Sequence, residues 1–312
     1  MKILIADEMH PSLLDMLNEQ GWSYDYQPQF RRDAILSHIS SYDGLFIRSK
    51  TRVDEELLAQ AQNLRFIARA GAGLDLIDLE AVQGKNIRLF HAGEGNRDAV
   101  AEHALGMLLC LFNNILRADR EVRQGIWDRE GNRGIEVMGK TVGIIGYGNN
   151  GSATARRLSG FGCKVLAYDK YRDSYGDPYA QEATLEQICS EADVLSFHVP
   201  LTSETRQWVN DAFIANMAKP FFLMNVARGE VVSLDAVVRG LESGKVRGAC
   251  LDVLENEKLD KLSPDQQKAF DYLSTSDRVV LTPHIAGWSH ESYVRINEVL
   301  VRQIREWVNS AS

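Results

Sequence analysis

Three glycines, Gly146, Gly148 and Gly151, follow the apolar run VGII in the spacing G-x-G-x-x-G. A backbone without side chains can approach a ligand closely, and the helix-like stretch SATARRLSGFG comes next, so a helix N-terminus lies beside the loop. In such a turn the first glycine allows the tight bend, the second admits a phosphate, and the third lets helix and strand touch. The spacing predicts a pyrophosphate-binding loop, although βα turns that bind nothing can share it.

An acidic residue ends the next strand-like run, KVLAYD, at Asp169, 18 residues after the last glycine of the loop. A carboxylate there accepts hydrogen bonds from the adenosine ribose and repels a 2′-phosphate, which predicts NAD rather than NADP. A merely solvated strand-end acid is the alternative, and the neighbouring Lys170 and Arg172 could soften the preference. Asn149 and Asn150 occupy the loop itself, where their amides can donate to phosphate.

These residues need a scaffold that gathers strand ends, and the sequence alternates strand and helix patterns almost throughout. The first series of strand-like runs is KILIA, WSYDY, GLFIRS, LRFIARA and IRLFHA; the second is TVGIIGYG, KVLAYD, DVLSFHV, FFLMNVA, GACLDV and VVLTPH. Alternation of this kind predicts an α/β fold of two doubly wound parallel-sheet domains, Rossmann-like or flavodoxin-like. We expect the active site in the cleft between them.

The expected NAD-binding domain spans residues 99–286. The expected substrate-binding (catalytic) domain spans 1–98 plus about 287–312, because the last helix follows a second half that already has its six strands. From residue 98 to about 124 the pattern is helical and its middle is apolar nearly all round, so we expect it buried, in part against a second subunit of a homodimer. Residues 258–277 have no strand signal and are interpreted as an exposed excursion.

Composition narrows the function classes. The chain has 312 residues, 45% of them hydrophobic and 25% charged, and a formal net charge of −8. That charge argues against general binding to nucleic acid or to an anionic membrane. No apolar run reaches the roughly 18 residues of a membrane span, and no signal peptide is recognisable. The four cysteines form no C-x-x-C pair, which predicts free thiols in a reducing cytoplasm and no metal site.

A nicotinamide cofactor implies hydride transfer, and hydride transfer to or from a hydroxy acid needs three protein groups. A cation must hold the substrate carboxylate, preferably as the bidentate fork of an arginine. A proton must move at the carbinol oxygen, a task that usually belongs to histidine. A carboxylate should hold that histidine and keep it protonated near neutral pH.

The chain resembles the NAD-dependent D-2-hydroxyacid dehydrogenases, and within them the 3-phosphoglycerate dehydrogenase branch. The resemblance covers almost the whole chain and rests on several ordered motifs besides the glycine loop: RSKT at 48–51, ARAGAGLD at 68–75, GEGNRDAVAEHALGMLL at 93–109, HVPLTSET at 198–205, MNVARGEVV at 224–232, ACLDVLENE at 249–257 and TPHIAGWSHES at 282–292.

The resemblance implies a role for each motif residue. Arg228 would clamp the substrate carboxylate and keto oxygen, His284 would be the acid/base, and Glu257 would be its paired carboxylate. Asp252 would lie near the nicotinamide carboxamide. Further contacts to NAD would come from Val199, Pro200, Val226, Ala227 and Gly287, and further contacts to a small anionic 2-hydroxy or 2-keto acid from Arg48, Ala70, Gly71 and Ala72.

Several alternatives stay open. Glu257 precedes Lys258, where the family usually has proline, so its placement is the least secure. Arg48 and Arg69 could attract a phosphate or be structural, and His198 is structural or cofactor-adjacent. A 3-phosphoglycerate substrate in serine biosynthesis competes with a glyoxylate or hydroxypyruvate reductase activity, and with a non-enzymatic NAD sensor on the same fold. We expect no C-terminal amino-acid-sensing domain and hence no serine feedback through one.

Overall fold

The computed structural model describes residues 1–310. Two compact units divide this part of the chain: unit 1 comprises Met1–Arg97 and residues 288–310, and unit 2 comprises Asp98–Gly287. Unit 1 is therefore discontinuous, because unit 2 is inserted before its last helix.

Strands and helices alternate in both units. The strands are β1 (Lys2–Ile5), β2 (Ser23–Tyr26), β3 (Gly44–Ile47), β4 (Phe66–Arg69), β5 (Arg88–His91), β6 (Thr141–Ile145), β7 (Lys164–Tyr168), β8 (Gln181–Glu182), β9 (Val194–Phe197), β10 (Phe221–Asn225), β11 (Val246–Leu251) and β12 (Val279–Leu281). The α-helices are α1 (Ser12–Glu19), α2 (Arg32–His38), α3 (Glu55–Gln60), α4 (Leu79–Gly84), α5 (Arg97–Phe112), α6 (Ile115–Arg123), α7 (Asn149–Leu158), α8 (Leu185–Glu191), α9 (Asp211–Asn216), α10 (Leu234–Ser243), α11 (Pro264–Thr275) and α12 (His290–Ser310).

Unit 1 is built on a parallel five-stranded sheet of order β2-β1-β3-β4-β5. Successive side chains of a strand point to opposite faces. Ile3 and Ile5 accordingly belong to one apolar core with residues of α1 and α12, whereas Leu4 belongs to a second core with residues of α2 and α3. Apolar burial on both faces is what a parallel sheet requires.

Unit 2 is built on a parallel seven-stranded sheet of order β12-β11-β10-β9-β6-β7-β8. β6 lies between β7 and β9, so the strand order reverses beside it. In sheets of this kind ligands bind at the carboxyl ends of the strands, at the point of reversal. The glycine loop follows β6 and therefore lies at that point. Both sheets confirm the predicted fold class of two parallel α/β domains.

The long helical pattern after residue 97 is two helices, not one. α5 and α6 meet at 59°, and Asn114 between them has a φ of 51°, a left-handed conformation that asparagine tolerates better than most residues. α5 is half buried, as its apolar middle predicts, but α6 has no buried residue. Leu116 and Val122 on α6 are exposed by 54% and 51%, and Trp127 beyond it by 79%.

Two other elements differ from the sequence prediction. Residues 258–277 contain α11, a helix that begins with a capping box between Ser263 and Gln266 and buries Ala269 and Leu273. The stretch is therefore not a simple excursion. The two-residue β8 adds a seventh strand at the sheet edge, where the sequence predicted six.

None of the helices within residues 1–310 is, taken singly, long and apolar enough to cross a membrane. The bent pair α5 and α6 together would pass such a test of length and composition.

Candidate active site

A cavity of about 380 Å³ opens at the carboxyl ends of β6, β7 and β9 in unit 2. Five of the predicted cofactor residues line it: Gly146, Gly148, Asp169, Val199 and Pro200. Lining residues that the sequence did not single out for cofactor contact include Tyr171, Glu204, Thr205 and Trp208. A cavity of this size with a mixed polar and apolar wall suits a flat heteroaromatic group joined to a sugar.

The glycine loop has the geometry that its sequence predicts. Gly146 has a φ of 92°, which a residue with a side chain rarely adopts, and a Cβ on Gly151 would lie only 2.0 Å from the Gly146 carbonyl oxygen. A Cβ on Gly148, in contrast, would meet nothing within 4 Å. The backbone at Gly148 is therefore open at the N-terminus of α7, where Asn149 and Asn150 form the first turn.

Asp169 lies where β7 ends, on the wall of the cavity. Its Oδ2 accepts a hydrogen bond from the Tyr147 backbone N–H (2.8 Å) and its Oδ1 one from the Tyr171 N–H (3.0 Å). Each carboxylate oxygen has two lone pairs, so capacity for ribose hydroxyls remains. These backbone bonds fix the carboxylate against the glycine loop.

Unsatisfied polar atoms in the same region test whether a dinucleotide fits. His198 lines the cavity, and its Nδ1 is buried without a hydrogen-bond partner, as is the Oδ1 of Asn150. The other ring nitrogen of His198 pairs with the Ser196 hydroxyl at 2.9 Å, and burial lowers the pKa of His198 to about 4. A neutral imidazole with one vacant nitrogen, an open glycine backbone and an acceptor carboxylate fit a polar ligand such as NAD.

A second group of residues lies at the carboxyl ends of the adjacent strands β10, β11 and β12. Arg228 follows β10 in a turn that Asn225 organises: the buried Asn225 amide donates to the Arg228 carbonyl (2.9 Å) and accepts from the Ala227 N–H (3.1 Å). Val226 and Ala227, the two residues inside this turn, are buried. The Arg228 Nη1 donates to the Ala227 carbonyl oxygen at 2.7 Å.

The next residue, Gly229, contacts the segment that leads to Glu257. A Cβ on Gly229 would lie 1.8 Å from the Leu254 carbonyl oxygen and 2.7 Å from the Glu255 nitrogen. Only glycine lets these two backbone segments approach so closely. The Arg228 turn and the segment after β11 are therefore held in register by backbone contact.

Glu257 and His284 form a hydrogen-bonded ion pair, with 2.8 Å between the Glu257 Oε1 and the His284 Nδ1. This hydrogen bond raises the pKa of His284 against the opposing effects of desolvation and of the positive charge on Arg228. The two side chains are 49% and 46% exposed, so solvent can reach the pair. With Nδ1 held by Glu257, Nε2 is the nitrogen left to exchange a proton with a ligand.

The backbone at His284 is strained and is held by Asp252. His284 has a φ of 54°, and its N–H donates to the Asp252 carbonyl (2.7 Å). The side chain of Asp252 is 1% exposed and accepts from the N–H groups of Ile285 (2.9 Å) and Ala286 (2.8 Å) and from the Thr282 hydroxyl (2.6 Å). Left-handed backbone persists where surrounding bonds over-determine it. Asp252, predicted near the nicotinamide carboxamide, has both oxygens bound to this loop, which continues to Gly287.

His103 completes this network, although its position carried no sequence pattern. Its Nε2 lies 3.0 Å from the Thr282 Oγ1 and 3.6 Å from the Asp252 Oδ1. Nothing in the spacing links α5 to the loop after β12, so only the fold brings these residues together. The sequence analysis also missed Gly229, because its contact is with a segment distant in the chain. Its position directly after Arg228 could have marked it as part of the site.

The predicted substrate contacts of unit 1 follow two adjacent strands. Ala70, Gly71 and Ala72 follow β4, and Arg48 follows β3. The guanidinium of Arg48 lies 3.9 Å from the ring centre of Trp288 and 4.8 Å from that of Tyr293, and it donates to the Tyr293 hydroxyl at 3.3 Å. Burial lowers the pKa of Arg48. Cation–π contacts of this kind orient a guanidinium while leaving its edge for an anion.

Residues 105–286 match the family described as "D-isomer specific 2-hydroxyacid dehydrogenase, NAD binding domain". The chain belongs to this family, and unit 2 is its NAD-binding domain. No group of three or more His, Cys, Asp or Glu side chains that could hold a metal occurs within the part of the chain that the structure describes.

Individual relatives of the chain carry several different 2-hydroxyacid dehydrogenase names. The chain is 33% identical to D-3-phosphoglycerate dehydrogenase of Archaeoglobus fulgidus over 97% of its length, but spans only 56% of that relative. It is 36% identical to hydroxypyruvate reductase of Thermotoga maritima, covering 88% of this chain and 87% of that one. The crystal structure of D-lactate dehydrogenase from Aquifex aeolicus with NAD and lactic acid matches with a TM-score of 0.83 at 27% identity, covering 99% and 96% of the two chains.

Proposed function

We propose that the protein is an NAD-dependent oxidoreductase that interconverts small D-2-hydroxy acids and 2-keto acids. The observation that carries the proposal is the Glu257–His284 pair, 2.8 Å apart, with Arg228 close enough to oppose its effect on the histidine pKa. An NAD sensor with no reaction to perform has no need of an imidazole that stays protonated to higher pH. The pair therefore favours catalysis over sensing.

Each of the three side chains has a distinct task. Arg228 pairs its planar guanidinium with the substrate carboxylate and so fixes the carbon that reacts. His284 gives a proton to the keto oxygen during reduction and takes it from the hydroxyl during oxidation, through Nε2. Glu257 holds the ring at Nδ1 and stabilises its charged form. When bound, the nicotinamide supplies the hydride donor or acceptor.

The residues that would hold NAD form one side of unit 2. Gly146, Gly148 and the first turn of α7, with Asn149, would receive the pyrophosphate, and Asp169 the adenosine ribose. Val199 and Pro200 would contact the adenosine from the loop after β9.

Within this class we propose 3-phosphoglycerate as the substrate, oxidised to 3-phosphohydroxypyruvate on the way to serine. Arg48 supports it, because an oriented guanidinium can bind a phosphate with two hydrogen bonds. The likeness to 3-phosphoglycerate dehydrogenases adds support. The likeness to a hydroxypyruvate reductase, over most of both chains, favours as second candidate a reductase of hydroxypyruvate or glyoxylate.

A panel of 2-keto acids with NADH, followed by nicotinamide absorbance, tests both the proposed reaction class and the proposed substrate. The panel contains 3-phosphohydroxypyruvate, hydroxypyruvate and glyoxylate, with the His284→Ala variant as control. We expect kcat/KM to be highest for the phosphorylated acid. A preference for hydroxypyruvate or glyoxylate would select the second candidate, and no turnover of any acid by a protein that binds NADH would refute the enzyme.

We further propose a homodimer through the 99–124 region. The exposed apolar side chains of α6, with Trp127 beyond it, are supporting features because monomers rarely leave several such side chains together in water. We propose a cytoplasmic location on the basis of the four cysteines, which are unpaired in the structure.

A further inference from the structure

Two cations stand beside Asp169, and both are already engaged. Arg172 donates from Nη1 to the Tyr147 carbonyl oxygen in the glycine loop. Lys170 places its Nζ 2.5 Å from the Glu204 Oε2. Recognition of a 2′-phosphate needs a cation near the ribose. The ion pair between Lys170 and Glu204 therefore affects whether the site prefers NAD or NADP.

Glu204 reaches Lys170 from the opposite wall of the cavity. It belongs to the loop after β9, whereas Lys170 and Tyr171 follow β7, and all three line the cavity. The same Oε2 accepts a hydrogen bond from the Tyr171 hydroxyl at 3.0 Å. The Glu204 Oε2 therefore links two side chains that follow β7, Lys170 and Tyr171, to the loop after β9. The hydrogen bond from Lys170, followed by that from Tyr171, lowers the pKa of Glu204, so the carboxylate is charged at neutral pH.

We propose that Glu204 is a second determinant of NAD selectivity, acting through Lys170. By pairing with the ammonium group, Glu204 neutralises Lys170, the cation that follows Asp169 in the chain, and holds it along the cavity wall. A 2′-phosphate then meets the charges of two carboxylates, Asp169 and Glu204, of which one is balanced by Lys170. The proposal concerns cofactor binding by unit 2 and stands apart from the identity of the substrate.

The exposure of the pair sets the size of the effect. Both side chains are 53% exposed, and such ion pairs are weak and exchange readily. Lys170 is therefore available to a phosphate as soon as its partner loses its charge, without refolding of the loop. Removal of the Glu204 charge frees the Lys170 ammonium group to attract the phosphate, and the weakness of an exposed ion pair limits the expected change in relative affinity to roughly two- to fivefold.

The experiment measures dissociation constants of NADH and NADPH by fluorescence titration, which needs no substrate. We expect Glu204→Gln to improve NADPH binding relative to NADH roughly two- to fivefold. The double variant Lys170→Gln with Glu204→Gln should lose that gain, because the freed ammonium carries it. Glu191→Gln is the matched control. Glu191 forms a similar exposed ion pair with Lys164, with 2.6 Å between the Glu191 Oε2 and the Lys164 Nζ, and neither residue lines the cavity.

Three outcomes would overturn the proposal: an NADPH to NADH ratio in Glu204→Gln equal to that of the unmodified protein, a gain that persists in the double variant, or an equal gain in Glu191→Gln. The last outcome would show a general effect of net charge. A protein that binds neither nucleotide would refute NAD binding itself, whereas a protein that binds NADH but turns over no acid would refute only the proposed activity.

Discussion

Replacement of Gly229 by alanine should separate the two backbone segments that carry Arg228 and Glu257. The added Cβ would lie 1.8 Å from the Leu254 carbonyl oxygen, which is 1.6 Å short of the 3.4 Å at which ordinary contact begins. The obstacle is backbone rather than the end of a flexible side chain. One of the two segments must therefore move by more than an ångström.

The loss of activity follows from that displacement. A misplacement of about 1 Å in a catalytic group can cost roughly 10²-fold in rate, because reacting atoms leave their productive geometry. We expect kcat/KM of Gly229→Ala to fall about 100-fold, with overpacking costing about 1–3 kcal/mol in stability. NADH binding should change little, since Gly229 does not line the cavity next to the glycine loop.

The assay combines steady-state reduction of the best keto acid, NADH titration and thermal unfolding. Gly160→Ala is a matched control, because a Cβ at Gly160 would meet nothing within 4 Å. An active Gly229→Ala protein, with kcat/KM close to that of Gly160→Ala, would refute the contact as the element that holds Arg228 and Glu257 in register.

Four further predictions concern individual side chains. His284→Ala should abolish turnover at neutral pH while NADH still binds; turnover above background would exclude His284 as the acid/base. Glu257→Gln should lower the pKa of His284, because the hydrogen bond that raises it loses its charge; in keto-acid reduction, which uses the protonated ring, the decline of kcat/KM with rising pH should begin at lower pH, and an unshifted profile would contradict the pairing. Arg228→Lys should lower kcat/KM by about 10–100-fold, because an ammonium cannot form the planar two-point contact; equal kinetics would argue against the clamp. Leu116→Lys, on the exposed side of α6, should weaken the proposed homodimer and shift sedimentation toward the monomer; sedimentation equal to that of the unmodified protein would contradict the proposed interface.

The sequence predicted the scaffold well because its signals are local. Apolar β-branched runs, glycine turns and amphipathic stretches each report on a few adjacent residues, and together they defined two parallel sheets. The failures also have local causes. α11 has a mixed polar surface with little periodicity, although its start, Ser263 followed by Pro264 and Gln266, was a recognisable helix signal. β8 is too short to leave a pattern.

The candidate site was only partly accessible from the sequence. Arg228, Glu257 and His284 could be named through family motifs, but the supports around them depend on contacts between distant segments. His103 reaches Thr282 across 179 residues of chain, and Gly229 matters because of a backbone segment about 25 residues away. The break at Asn114 was missed, because apolar residues resume at Ile115 directly after Asn113 and Asn114, and the left-handed backbone angle of Asn114 is seen only in the structure.

The insertion of unit 2 before the last helix has a consequence for biosynthesis. A ribosome completes residues 98–287, a continuous segment, before it synthesises α12. Until then one face of the first sheet lacks Ile296, Leu300 and Ile304, which share its apolar core, and Trp307, whose ring lies 5.9 Å from that of Phe66. Unit 2 can thus fold on the nascent chain while one apolar face of unit 1 is still exposed to solvent. Transiently exposed apolar surface of this kind is what chaperones bind.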